Sequence, residues 1–187
     1  MWAPHSYFNF LLASTNQHGI HSPFVFDLVT QGLYPKIDAK SSIIPLKKFA
    51  KSNRTTYKSL ELLLKTIRYF KCKKIDCSNF PNSNKFVKIL NQNFQQNLRC
   101  CTTENEIVYF DFTDDTSFSK KFATSRSNIL CGNTIIFVNN IHQNKNTFSA
   151  WQKLIEIPEI TVSIDFYYAG LLFERPQQAK EHFIVRY

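Results

Sequence analysis

Glycine is scarce in this sequence. Only 4 of its 187 residues are glycine, and none lies in the 98 residues from 33 to 130. A loop that brings its main chain close to a phosphate or a nucleoside usually needs glycine, because a Cβ atom obstructs the approach. The sequence therefore predicts that the centre of the chain contains no such loop.

Two other absences concern the compartment. No apolar run approaches the roughly 18 residues of a membrane span. Residues 1–12 carry no Lys or Arg before their apolar stretch, whereas a signal peptide has a positive charge there. The 5 cysteines are odd in number and include no Cys-x-x-Cys pair, which is typical of a reducing compartment rather than a disulfide scaffold. We therefore predict a cytoplasmic protein that does not associate with membranes.

The charge is positive but spread along the chain. Lys and Arg number 23 against 14 Asp and Glu, a net charge of +9, yet there is no Arg-rich tract and no RNP-like aromatic motif. This pattern favours a solvated lysine surface, so nucleic acid is an unlikely partner. A basic nucleic-acid-binding module is kept as an alternative that rests on charge alone.

The chain is expected to divide into a helical arm with a linker, residues 1–54, and a larger domain, residues 55–187. Within the first part, Ser22 and Pro23 are good residues to begin a helix. The basic stretch 35–54 contains Pro35 and Pro45 and is interpreted as linker.

Strands alternate with helices from residue 55 onward, which predicts an α/β fold with a mostly parallel sheet, helices on both faces and antiparallel strands at the C-terminal end. Ligands of such sheets bind beyond the carboxyl ends of the strands. The predicted helices are 55–70, 83–96, about 116–128 and 146–157, and the predicted strands are 73–77, 97–102, 106–112, 133–140, two within 161–174 that meet near Gly170, and 182–187.

Several motifs resemble a bacterial family of class I S-adenosylmethionine-dependent methyltransferases, an O-methyltransferase-like group typical of Bacteroidetes. The resemblance is strong in residues 16–34 and 134–187 and poor from 76 to 105. It implies a Rossmann-like methyltransferase sheet, shortened in the middle as if a strand–helix pair were deleted, and S-adenosylmethionine as cofactor. The motifs that carry it are HGIHSPFVFDLVT, IIFVNNIH, AWQKL and TVSIDFYYAGLLFERPQQAKEHFIVRY.

The resemblance implies that Asp76, Ser78 and Asn79 face the cofactor. The family has an E-x-G-x-x-x-G turn after its first strand, and here every glycine of that turn is gone while Phe80 and Pro81 add bulk. Cofactor binding is therefore expected to be impaired or lost. For the acidic residue that holds the ribose hydroxyls, Glu104 and Glu106 are both candidates.

The resemblance also implies catalytic roles for Asp111 and His142. The family's F-I-D-G motif is present as a segment in which Phe112 replaces the glycine, and its Asp-Asp-Ile-His motif has become Asn139, Asn140, Ile141 and His142. Losing two carboxylates removes the anionic oxygens that a hard divalent cation needs, so no metal site is expected. The alternative roles are a strand-end cap for Asp111 and a loop histidine bonded to backbone for His142.

These observations predict a pseudoenzyme that acts as a binding or structural partner. It is expected to form a homodimer or to bind another protein through its aromatic N-terminal arm, which includes Tyr7, Phe8 and Phe10. One alternative is an active methyltransferase with an atypical pocket, which transfers a methyl group to an oxygen of a small molecule. A side chain of Phe80 or Phe112 at the ends of the strands would exclude a nucleoside.

Overall fold

A computed structural model describes most of the chain as helices around one seven-stranded sheet. The described residues are 3–37, 40–53, 55–77, 82–94, 97–100, 106–112 and 134–187. The helices are α1 (Ala3–Ala13), α2 (Pro23–Asp27, continued by a π-helical segment Leu28–Leu33), α3 (Lys40–Ser52), α4 (Tyr57–Tyr69), α5 (Ser83–Phe94) and α6 (Lys145–Ile155), and the strands are β1 (Lys74–Asp76), β2 (Arg99–Cys100), β3 (Ile107–Asp111), β4 (Ile135–Asn139), β5 (Val162–Asp165), β6 (Ala169–Phe173) and β7 (Glu181–Ile184).

The sheet has the order β2-β1-β3-β4-β6-β5-β7. Only β6 runs against its neighbours, since it pairs antiparallel with β4 and β5, while the other pairs are parallel. This confirms the predicted mostly parallel α/β sheet with antiparallel pairing at the C-terminal end. The chain moves from β1 to β2 on one side and returns to β3 on the other, so the switch point lies between β1 and β3.

Helices cover both faces of the sheet, as predicted. In β3 and β4, residues such as Tyr109 and Phe137 face a core that includes residues of α2 to α5. The alternate residues, such as Phe110 and Val138, face a second core with α6. Because successive side chains of a strand point to opposite faces, these buried strands are apolar on both sides.

The segment interpreted as a linker contains helix α3. Pro45 lies inside this helix, and Leu46, Phe49 and Ala50 are buried in the core shared with α4 and α5. The linker interpretation of this segment was therefore wrong, because an apolar face at helical spacing outweighs one proline, which removes a single backbone donor.

The turn between β5 and β6 lies at residues 166–168 and not at Gly170. Gly170 is inside β6, where it pairs with Val138 and Asp165. A Cβ atom at Gly170 would lie 2.3 Å from Cη2 of Trp151, so this glycine allows close packing of α6 on the sheet. The predicted helix at about 116–128 lies outside the described residues. Among the helices in the described ranges, none is both long enough and apolar enough to cross a membrane.

Candidate functional site

The candidate residues that can be described lie at the carboxyl ends of β1, β3 and β4. Asp76 ends β1, Asp111 ends β3 and Asn139 ends β4. His142 follows β4 by three residues. The predicted cofactor-binding residues Ser78 and Asn79, and the bulky Phe80, lie outside the described residues. Their roles stay predictions.

The Asp111 carboxylate accepts three hydrogen bonds from neighbouring side chains. Its Oδ2 atom accepts from Asn139 Nδ2 at 2.9 Å and from the Tyr109 hydroxyl at 3.1 Å, and its Oδ1 atom accepts from Asn140 Nδ2 at 2.9 Å. The amides of Asn139 and Asn140 thus both bind the carboxylate of Asp111. Asn140 has φ 60°, a left-handed conformation that asparagine tolerates well.

Asn139 connects this network to the start of helix α4. Its Nδ2 group also donates to Thr55 Oγ1 at 3.0 Å, and its Oδ1 atom accepts from Ser59 Oγ at 2.5 Å. Asn139 is fully buried. Both ends of this amide are therefore used inside the protein, as the rule for buried polar groups requires.

Tyr109 is a neutral donor in the network. Burial raises the pKa of its phenol well above the usual value, and the Asp111 carboxylate beside it raises it further. A protonated hydroxyl that donates to an ionised carboxylate forms a charge-assisted hydrogen bond. We call the side chains of Asp111, Asn139, Asn140 and Tyr109, with Thr55 and Ser59, the strand-end network.

Phe112 does not project into the space at the strand ends. Its side chain is buried with Val108 and Phe110 in the core on the α6 face of the sheet. The condition under which Phe112 would exclude a nucleoside is therefore not met. Whether Phe80 has that role is a question about residues outside the described ranges.

Glu106 lies at the amino ends of the strands, opposite to the candidate site at their carboxyl ends. It precedes β3, and its carboxylate accepts from the backbone N–H groups of Lys73 and Lys74, which precede and begin β1. A residue at the amino ends of the strands does not reach a ligand at the carboxyl ends. Glu106 is thus excluded as a ribose ligand, and Glu104 lies outside the described residues.

His142 pairs with a carboxylate that the sequence analysis did not identify. Its Nε2 atom is 2.6 Å from Oδ2 of Asp165, and the imidazole is buried between aromatic rings. The centroid of Tyr167 lies 4.7 Å from that of His142 and the centroid of Phe148 lies 4.6 Å away. The expectation of a loop histidine bonded to backbone is corrected by this contact. Asp111 and His142, the two predicted catalytic residues, belong to different hydrogen-bonding groups.

Asp165 could have been found from its place in the sequence. It ends β5, which runs parallel to β4, so it lies at the carboxyl ends of the strands together with Asn139 and His142. Its Oδ1 atom accepts from the backbone N–H of Tyr167 at 2.7 Å. Tyr167 has φ 71°, an uncommon conformation for an aromatic residue, and its hydroxyl lies 3.0 Å from Ser6 Oγ on α1.

Metal-binding capacity follows from the side chains that lie together. Within the described ranges, no group of three or more His, Cys, Asp or Glu side chains is arranged to hold a metal ion. At the strand ends the neighbours of Asp111 are amides that present N–H donors to it. Such donors repel a cation.

Comparisons with known proteins give a structural likeness and no match in sequence families. No protein-family model matches the chain, and no curated protein matches it. Among solved structures, the chain is similar to the crystal structure of "a putative caffeoyl-CoA O-methyltransferase from Staphylococcus aureus", with 14% sequence identity, a TM-score of 0.49, and coverage of 81% of this chain and 98% of that one.

Proposed function

We propose that this chain is a binding or structural protein built on a methyltransferase-like fold, with its S-adenosylmethionine site impaired or lost. One observation carries the proposal: the Asp111 carboxylate is occupied by the amides of Asn139 and Asn140. A ligand at the carboxyl ends of these strands would have to displace hydrogen bonds between groups that are already paired with one another. Displacement of such bonds reduces the net gain from any new contact.

The sequence after β1 supports this proposal. Asp76 is in the place of the acidic residue after the first strand, but the stretch that follows it contains no glycine. A close approach of main chain to the methionine part of the cofactor is therefore not expected. The oxygen of the Asn139 amide is bonded to Ser59 and is not available to a divalent cation either.

Isothermal titration with S-adenosylmethionine tests this proposal. We expect no saturable heat at millimolar cofactor from the full chain, and no change in its melting temperature. A micromolar dissociation constant that Asp76→Asn weakens at least about tenfold would overturn the proposal and establish the alternative, an active methyltransferase. Ser52→Ala is the matched control, because Ser52 is exposed on α3.

For the partner we propose a second copy of this chain, bound through helix α1. Phe10 of α1 is buried against the domain, but Phe8 is 59% exposed and Leu12 is 72% exposed. The helix contains no Lys, Arg, Asp or Glu, in a chain whose net charge is +9. Two copies can therefore approach along α1 without the repulsion that the rest of the surface would produce.

The oligomeric state in solution tests this interface. We expect a dimer by light scattering after size exclusion, and a monomer for Phe8→Ser combined with Leu12→Ser. The control is Ile44→Ser, because Ile44 is a similarly exposed apolar residue, 56%, on α3. A monomeric native chain, or a dimer that survives the double substitution, would rule out this interface.

A further inference from the structure

A cavity of about 450 Å³ lies between α1, α6 and the outer strands of the sheet. Its floor is formed by residues of β5 and β7, among them Asp165 and His182. Helix α1 is fixed over this edge because Thr15, just beyond it, donates to Ile184 O at 2.9 Å. The volume is within the range of small-molecule sites in proteins. We call it the α1–α6 cavity.

The α1–α6 cavity is separate from the strand-end network. Its walls come from α1 and α6, whereas the network is covered by the start of α4. Asn9 and Gln152 line the cavity and are exposed, so it reaches the protein surface. A ligand there would not need to displace any hydrogen bond of Asp111.

Two deeply buried polar side chains line the cavity. Asp165 is 2% exposed and His142 is 8% exposed. An ionised carboxylate only accepts hydrogen bonds, so the contact with Asp165 fixes the proton of a neutral imidazole on Nε2 of His142. The Nδ1 atom of His142 is then an acceptor.

Two lining residues each have a buried polar atom without a partner. These atoms are Nδ1 of His142 and Nε1 of Trp151, and neither finds a hydrogen bond within the described structure. Buried polar groups are nearly always paired, and an exception requires an explanation. Both atoms have almost no accessible surface, so an occupant of the open cavity contacts other atoms of these two rings.

The charge and shape of the lining indicate what kind of occupant fits. Although the chain is strongly basic, no Lys or Arg lines this cavity in the described part, and Asp165 contributes a carboxylate. An anion would therefore be repelled. Phe10, Phe148 and Trp151 provide aromatic walls, which favour a flat ring system.

We propose that the α1–α6 cavity binds an uncharged aromatic molecule of one or two rings. Its rings pack against the aromatic walls formed by Phe10, Phe148 and Trp151. This site goes beyond the proposed loss of cofactor binding and does not depend on it.

The bicyclic lactam 2-quinolone is a suitable probe, since it is uncharged, flat and built of two fused rings. We expect one saturable site by isothermal titration. In a proton–nitrogen spectrum we expect the indole signal of Trp151 to shift. Quinoline-2-carboxylate, an anion of the same size, is expected to bind at least about tenfold more weakly.

A filled cavity provides the second arm of the experiment. Ile155→Trp places a large ring in a lining position of α6, and Lys153→Trp places the same ring on the exposed side of that helix. We expect Ile155→Trp to lose 2-quinolone binding and Lys153→Trp to retain it, with both variants folded by circular dichroism.

The outcomes separate this proposal from the proposed function. No shift of the Trp151 signal, or equal binding by the two tryptophan variants, would mean that the cavity holds water only and would overturn the site. A positive titration with S-adenosylmethionine would refute the proposed function and leave the 2-quinolone result unchanged.

Discussion

Two neighbouring groups of polar side chains, at the end of β4 and just after it, differ in their hydrogen bonding. Asn139 and Asn140 give their amide groups to Asp111, and Asn139 is further bonded to Thr55 and Ser59. Two residues later, His142 has one nitrogen paired with a carboxylate and the other unpaired. In the first group the amides are bonded within the network. In the second group one buried nitrogen of His142 has no hydrogen-bond partner among the described residues.

The surroundings of the two groups explain the difference. Hydroxyl groups at the start of α4 reach Asn139, whereas aromatic rings from α1, α6 and the β5–β6 turn surround His142. Rings cannot supply strong hydrogen bonds. The strained backbone of Tyr167 holds one of those rings against the imidazole, and such outliers often occur at functional sites.

Removing the carboxylate from the His142 pair is expected to have the largest effect. Asp165→Ala leaves the imidazole N–H and the Tyr167 backbone N–H buried without acceptors. We expect the free energy of unfolding to fall by about 3 kcal/mol, measured by urea denaturation. Asp165→Asn retains an acceptor oxygen and is expected to lose only about 1 kcal/mol. Equal losses would mean that the hydrogen bonds do not matter.

Introducing a second acid into the strand-end network is expected to have the next largest effect on stability. Asn139→Asp replaces the donor 2.9 Å from Asp111 by a second carboxylate. We expect the free energy of unfolding, measured by urea denaturation, to fall by about 2 kcal/mol near neutral pH. The repulsion raises the pKa of the pair, so the loss should shrink as the pH falls and one carboxyl takes up a proton.

A divalent cation can distinguish repulsion from general damage in that variant. With Asn139→Asp and Asn140→Asp together, three carboxylates meet, which suits a hard cation. We expect millimolar Mn²⁺ to raise the melting temperature of this double variant and to leave the native chain unchanged. If Mn²⁺ acts equally on both, or if adding Asp111→Asn to the double variant does not abolish the response, the explanation is wrong.

Local patterns predicted the fold well and the site only in part. The apolar spacing of α4 and the β-branched run of β4 specify their own structures, so both elements were predicted within a few residues. The neutral amide at Asn139 was visible in the sequence. Its bond back to Asp111 was not, because that contact joins residues 28 positions apart in the chain.

The remaining errors came from local signals that tertiary contacts outweighed. Pro45 indicated a break, yet burial of one helix face keeps α3 intact. In the β5–β6 turn, Tyr167 has the left-handed conformation for which glycine or asparagine is usual. Because glycine is the usual residue in such a turn, the sequence predicted the turn near Gly170. The partner of His142 lies 23 residues away, a separation that no spacing rule covers.

The smallest expected effect concerns the second histidine of the α1–α6 cavity. Desolvation holds the pKa of His182 below its usual value and His142 nearby lowers it further, while Asp165 opposes the shift. Its Nδ1 atom lies 2.8 Å from the Ser163 hydroxyl, within hydrogen-bonding distance.

The sign of the resulting pH dependence follows from that shift. Between the lowered folded pKa and the unfolded value of about 6.5, the unfolded chain binds more protons, so stability falls as the pH decreases through this window. We expect the melting temperature of His182→Gln to decline less than that of the native chain when the pH is lowered from about 7.5 to about 5.5. The difference should be small, because part of the His182 side chain is exposed to solvent. Parallel curves for the two proteins would mean that His182 does not contribute to the acid sensitivity.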